Sequence, residues 1–122
     1  MYTLSKRSED NLKGVDKNLV AVIYELLKVS PYDFTIIEGL RTLERQKELL
    51  AQKKTRTLDS KHLTGKAVDF VVYDTSEQLT WEPLFYKAVA DKAKEVANKL
   101  NIKITWGGDW PTFKDYDHLE LI

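Results

Sequence analysis

Three stretches with helically spaced apolar residues, interleaved with four short runs rich in β-branched and aromatic residues, predict an α+β fold. The expected architecture is a small, mainly antiparallel sheet flanked by helices. From Asp16 onwards Leu19, Val22, Ile23, Leu26 and Leu27 recur on one helix face, with Asp16 as the N-cap and Pro31 closing the segment. "YDFTIIEG" (32–39) reads as a strand that stops at Gly39. Thr42 caps a second helix over 42–54, on which Leu43, Gln46, Leu49 and Leu50 face one way. The polar run "TRTLDSKHLTG" (55–65) is a loop, and "KAVDFVVYD" (66–74) is the second strand. In 81–100 Phe85, Ala88, Val89, Ala93, Val96, Ala97 and Leu100 form one apolar face. Pro83 lies in its first turn, where a missing N–H costs nothing. "IKITW" (102–106) is a third strand, "GGDWPTFKD" (107–115) a turn-rich loop, and "YDHLELI" (116–122) the last strand.

A chain of 122 residues buries one ordinary core, so residues 1–122 are expected to form one domain. Lysine plus arginine equals aspartate plus glutamate, at 19 each, which leaves no electrostatic footprint for nucleic acid. No cysteine is present, so any metal site must be built from histidine and carboxylate. The N-terminus "MYTLSKRSEDNLKG" lacks an apolar signal segment, and no run is long enough to span a bilayer. The expectation is a protein made in the cytoplasm, without membrane insertion.

The chemistry centres on "SKHLTGKAVDF". Gly65 separates His62, on the loop, from Asp69, inside the second strand. Ala67, Asp69, Val71 and Tyr73 share one face of that strand; Val68, Phe70 and Val72 share the other. A carboxylate in an apolar strand needs a cation, a set of donors or a metal ion. Lys61, Lys66 and Lys103 are available as ordinary ion-pair partners. The only other histidine, His118, lies in the last strand, where Tyr116, His118 and Glu120 alternate against Asp117, Leu119 and Leu121. Two histidines and a strand aspartate would supply zinc with three ligands and leave a fourth position open, as catalytic zinc requires. From spacing by itself a hydrogen-bonded histidine and an aspartate paired with lysine or arginine are the more usual case, since no short-range motif such as H-E-x-x-H is present.

"SKHLTGKAVDF" together with "WGGDWPTFKDYDHLEL" resembles the M15 family of zinc peptidases. The likeness is greatest to the phage and bacterial L-alanyl-D-glutamate endopeptidases, the peptidoglycan-cutting endolysins. It extends upstream through "DFTIIEGLRTLERQKELL" and covers about Ser8 to Leu121. S-x-H-x-x-G-x-A-x-D and the late D-x-x-H are its specific parts. The resemblance implies the zinc DD-peptidase-like fold shared by M15 enzymes and hedgehog domains. It implies zinc held by His62, Asp69 and His118, with Asp115 as the catalytic carboxylate where many relatives have glutamate. Asp117 and Glu120 are rivals for that role; strand alternation turns Asp117 away from His118, and Glu120 suits the orientation of a histidine. Arg41 matches the family arginine that holds substrate and offsets developing charge, although an ion pair with Glu38 or Glu44 would explain it equally. Ser60 matches a position near the substrate, or serves to hold the His62 loop. Trp106, Trp110 and Phe113 could wall the cleft, but aromatics in so small a domain are more often core, and they are assigned no role. The run "KKTRT" departs from the family, which tends to have glycine and small residues there.

The implied function is zinc-dependent cleavage of the L-alanyl-D-glutamate bond in the peptidoglycan stem peptide, by a monomer with no separate wall-binding domain. The implied setting is a phage lysin that waits in the host cytoplasm until a separate pore-forming protein exposes the wall. Two alternatives are a D-alanyl-D-alanine carboxypeptidase of the same family and a non-enzymatic wall-binding module.

Overall fold

The computed structural model describes residues 1–55 and 59–122; residues 56–58, inside the expected 55–65 loop and including the last two of the "KKTRT" run, lie outside the described residues. The elements run α1 (Lys6–Asn11), α2 (Lys17–Val29), β1 (Phe34–Glu38), α3 (Leu43–Ala51), β2 (Ala67–Tyr73), β3 (Leu79–Thr80), α4 (Pro83–Lys99), β4 (Ile104–Trp106) and β5 (His118–Leu121). The strands form one antiparallel sheet in the order β1-β2-β5-β4, with β3 added to the far end of β2. This is the α+β arrangement expected from the sequence. Among the described residues no helix is long and apolar enough to cross a membrane.

The expected caps form. Asp16 accepts from the Asn18 N–H at 2.8 Å, Thr42 accepts from the Arg45 N–H at 3.1 Å, and Pro83 opens α4. Leu19, Val22, Ile23, Leu26 and Leu27 of α2 meet Val89, Ala93, Val96 and Ala97 of α4 in one core beneath Val68, Phe70 and Val72. The face of α4 is turned from the expected one: Tyr86 and Ala90 are buried, whereas Leu100 is exposed. Tyr86 sits deepest because its hydroxyl is satisfied there, donating to the Thr80 carbonyl at 2.7 Å and accepting from the Val72 N–H at 3.3 Å. On α3 the expected face holds at Gln46 and Leu49, but Leu43 is 47% exposed at the helix start.

Two elements carry no clear sequence signal. α1 has one turn and a half, capped by Ser5, and is held by polar contacts to β1. The Ser8 hydroxyl accepts from the Ile36 N–H at 2.9 Å, and the Asn11 amide donates to the Ile36 carbonyl at 2.8 Å. β3 has two residues only. Polar edge pairing of this kind has no hydrophobic period to read.

β5 begins at His118 rather than at Tyr116, because residues 116 and 117 form a turn. The expected alternation therefore fails just before the histidine. The Tyr116 ring packs on Trp106 at 5.8 Å, on the core side, and Asp117 offers an oxygen within 4.8 Å of those of Asp69 and Asp115.

Candidate metal centre

β2 and β5 pair so that Asp69 lies directly opposite His118. Paired residues of antiparallel strands share a face, so the register alone delivers one carboxylate and one imidazole to the same side of the sheet. His62 arrives from the short 3₁₀ turn Lys61–Thr64, which precedes β2. Ser60 caps that turn by accepting from the His62 N–H at 3.2 Å. Gly65 closes it in the left-handed conformation at φ 71°, and a Cβ there would stand 2.4 Å from the Gly14 carbonyl oxygen. The Gly65 carbonyl in turn accepts from the Asp16 N–H at 2.8 Å, which ties the histidine turn to the start of α2. Gly65→Ala is expected to cost about 1–2 kcal/mol from the backbone conformation alone, measurable as a lower midpoint in urea. An unchanged midpoint would show that the turn relaxes freely.

The two imidazoles are oriented by their outer nitrogens. His62 Nδ1 faces the Gly39 carbonyl at 2.8 Å and so carries the proton there, leaving Nε2 toward Asp69 Oδ1 at 3.2 Å. His118 Nε2 faces Glu120 Oε1 at 2.8 Å, leaving Nδ1 toward the same Asp69 oxygen at 3.1 Å. The ring centroids stand 5.2 Å apart. Glu120 is itself held by Lys61, whose Nζ lies 3.2 Å from Oε2 and also donates to the Leu121 carbonyl. Both histidines are buried, and a ligand atom of each lies within 4.8 Å of the others and of the Asp69 carboxylate. Two nitrogens and one oxygen, each imidazole anchored by an acceptor behind it, fit a zinc ion with an open coordination position. In the absence of a cation, burial pushes the Asp69 carboxyl up, but hydrogen bonds from His118 and His62 outweigh it and bring it to about 2. Burial pushes His118 down, and its bonds to Asp69 and Glu120 more than reverse that.

A second carboxylate group adjoins this centre. Asp69, Asp115 and Asp117 each offer an oxygen within 4.8 Å of the others. Asp115 Oδ2 lies 4.0 Å from His118 Nδ1, and its side chain is 47% exposed, open to solvent beside the buried histidines. Gly107 backs it closely: the Asp115 N–H donates to the Gly107 carbonyl at 3.1 Å, and a Cβ on Gly107 would meet the Asp115 carbonyl oxygen at 2.2 Å. Burial together with the neighbouring Asp115 and Asp69 carboxylates pushes Asp117 up to about 8. Its backbone carbonyl accepts from the Phe70 N–H at 2.8 Å.

Arg41 joins the centre from the opposite side. A β-bulge shifts the β1–β2 register between Ile36 and Glu38, so that Glu38 pairs with Asp69. The Arg41 side chain, 9% exposed, donates from Nε to Glu38 Oε1 at 2.6 Å and from Nη1 to Gln46 Oε1 at 2.7 Å. Its Nη2 lies 3.8 Å from Asp69 Oδ2. The ion pair with Glu38 is present, and it belongs to the centre rather than to the open surface. Trp110 is half-buried with its ring 5.2 Å from that of His118, forming one wall of the centre. Trp106 is core, its indole N–H donating to the Tyr116 carbonyl at 2.7 Å, and Phe113 is 64% exposed.

His62, Asp69, His118, Asp115 and Arg41 are thus brought together, with Ser60 one turn away as a cap. Three partners escaped sequence reasoning. Gly39 contributes a backbone oxygen, and its own close approach to α1 leaves no room for a Cβ, which would stand 2.0 Å from the Asn11 carbonyl oxygen. Glu38 had been legible only as a local ion-pair partner. Gln46 carried the clearest overlooked signal, an amide on an otherwise apolar helix face.

Known proteins resemble this chain over nearly its whole length. A family described as phage L-alanyl-D-glutamate peptidase matches residues 1–121. The chain is 37% identical over 119 residues to the L-alanyl-D-glutamate peptidase of Escherichia phage T5, covering 94% of this chain and 86% of that protein. It is 32% identical over 134 aligned positions to the peptidoglycan L-alanyl-D-glutamate endopeptidase CwlK of Bacillus subtilis, covering 100% of this chain and 74% of CwlK. The crystal structure of the Serratia marcescens L-Ala D-Glu endopeptidase ChiX superposes with a TM-score of 0.91 at 39% identity, covering 98% of this chain and 89% of ChiX. The chain belongs to the phage L-alanyl-D-glutamate peptidase family.

Proposed function

We propose that this chain is a zinc-dependent peptidoglycan endopeptidase that hydrolyses the bond between L-alanine and D-glutamate in the stem peptide. The observation that carries the reading is the aim of His62 Nε2 and His118 Nδ1 at one Asp69 oxygen, each ring held by an acceptor behind it. Family membership supplies the bond. His62, Asp69 and His118 would hold the ion. When bound, zinc supplies Lewis-acid polarisation of a carbonyl and acidifies water toward neutral pH.

The remaining work falls to side chains. Asp115, half-exposed beside His118, accepts the proton of the attacking water and returns it to the departing D-glutamyl amine as the C–N bond breaks. Arg41 presents Nη2 beside Asp69 and offsets the negative charge that gathers on the carbonyl oxygen, or holds a substrate carboxylate. Trp110 keeps water from one side of His118. Glu120 holds the His118 ring, so Glu120→Ala is expected to weaken zinc binding by about 10–100-fold. Competition with a chromophoric chelator measures this, and unchanged affinity would remove Glu120 from the scheme.

Digestion of purified peptidoglycan by zinc-loaded protein and by a chelated control, with mass spectrometry of the fragments, tests the function. Zinc-dependent cuts between the first and second stem residues are expected. Release of a terminal D-alanine would instead make the chain a carboxypeptidase, and protein holding zinc without any cleavage would favour a wall-binding module. The phage relative supports a role in host lysis, with access to the wall granted by a separate pore-forming protein.

A further inference from the structure

We propose that Gln46 is a positioning residue for Arg41, its buried amide fixing which edge of the guanidinium the substrate meets. The inference rests on the role given to Arg41 above and extends it to a residue that does not touch substrate. A guanidinium is a rigid plane with five N–H donors. Glu38 engages Nε at 2.6 Å, which fixes one point and leaves the plane free to swing about that contact. Gln46 Oε1 engages Nη1 at 2.7 Å and fixes a second point. With two points held, Nη2 is turned toward Asp69, 3.8 Å from its Oδ2, at the edge of the metal centre.

The setting of Gln46 fits this role better than packing. It is fully buried, next to Leu49 on the inner face of α3, where an apolar side chain would pack without any polar group to satisfy. Its amide Nε2 donates to Thr55 Oγ1 at 3.4 Å, so both ends of the amide are engaged and its flip state is set. The backbone reinforces the arrangement. Thr42 caps α3 immediately after Arg41, placing Gln46 one turn in, while the Arg41 N–H donates to the His62 carbonyl at 2.9 Å. The orientation of the guanidinium is thereby coupled to the turn that carries a metal ligand.

The test is a double-mutant cycle in the zinc-loaded full chain, using a defined muropeptide with one L-alanyl-D-glutamate bond. Gln46→Met keeps the volume and removes the acceptor; Gln46→Asn keeps the amide but ends one methylene short of Nη1. Each is expected to lower kcat/KM by about 10–100-fold, the range for losing one charge-assisted hydrogen bond. In an Arg41→Lys background the same changes should alter kcat/KM by less than about twofold, since they act through a group no longer there. Zinc content should stay at one per chain. The Arg41 Nε–H resonance should shift and exchange faster with water in the Gln46 variants, a signature that packing alone would not produce. Parent kcat/KM in both variants, an equal loss in both backgrounds, or failure of both variants to fold would overturn the proposal. Parent activity in Arg41→Lys alone would instead overturn the role of Arg41; slow Arg41→Lys with fast Gln46 variants overturns only the present inference.

Discussion

His118→Ala is expected to abolish both zinc binding and peptidoglycan hydrolysis. Of the three proposed ligands only His118 comes from β5, and no neighbouring imidazole can replace it, since the sequence has only His62 besides. Its removal takes away the nitrogen 3.1 Å from Asp69 Oδ1 and leaves Glu120 and the Asp69 carboxylate facing an empty space. The loss of affinity should exceed the ~10–100-fold that removal of an outer partner costs, because a ligand bond itself is gone. Metal analysis of the purified variant after dialysis measures it. One zinc per chain retained at parent affinity would mean that the ligand set is wrong.

Asp115→Ala should behave in the opposite way, keeping fold and zinc while losing rate. The Asp115 side chain is half-exposed, and the contacts that hold its loop run through its backbone to Gly107 and to the His118 N–H. General acid–base assistance is typically worth about 10²–10⁴-fold, and a loss of at least that size in kcat is expected with zinc stoichiometry unchanged. Asp117→Asn is the matched comparison, because the Asp117 carboxyl lies in the same cluster. Parent-like turnover in Asp115→Ala together with a large loss in Asp117→Asn would transfer the role to Asp117.

The parts of the centre that were legible in the sequence are those carried by side-chain type at fixed positions. His62 and His118 stood out as the only two histidines of a chain without cysteine, Asp69 because it interrupts an apolar strand, and the three as a set through the family resemblance. Arg41 stood out only through resemblance, since a lone arginine near Glu38 reads as an ion pair. Asp117 was misread. Alternation was extended back from His118 across two residues that form a turn, and a period of two has no meaning where the ladder has not begun.

By itself the sequence determined the three longer helices, the caps of α2 and α3, the inner and outer faces of β2, and the residue types available to a metal ion, because these follow from local period and from side-chain chemistry. The tertiary structure alone decided the tautomers and the neighbourhood. The Gly39 carbonyl accepts a hydrogen bond from Nδ1 of His62, the bulge in β1 brings Glu38 opposite Asp69, and the amide of Gln46 meets Arg41. The physical reason is common to all three. Each is a meeting in space, through a backbone atom, a strand register or the ends of two long side chains, and none of these is represented in the order of residue types along the chain.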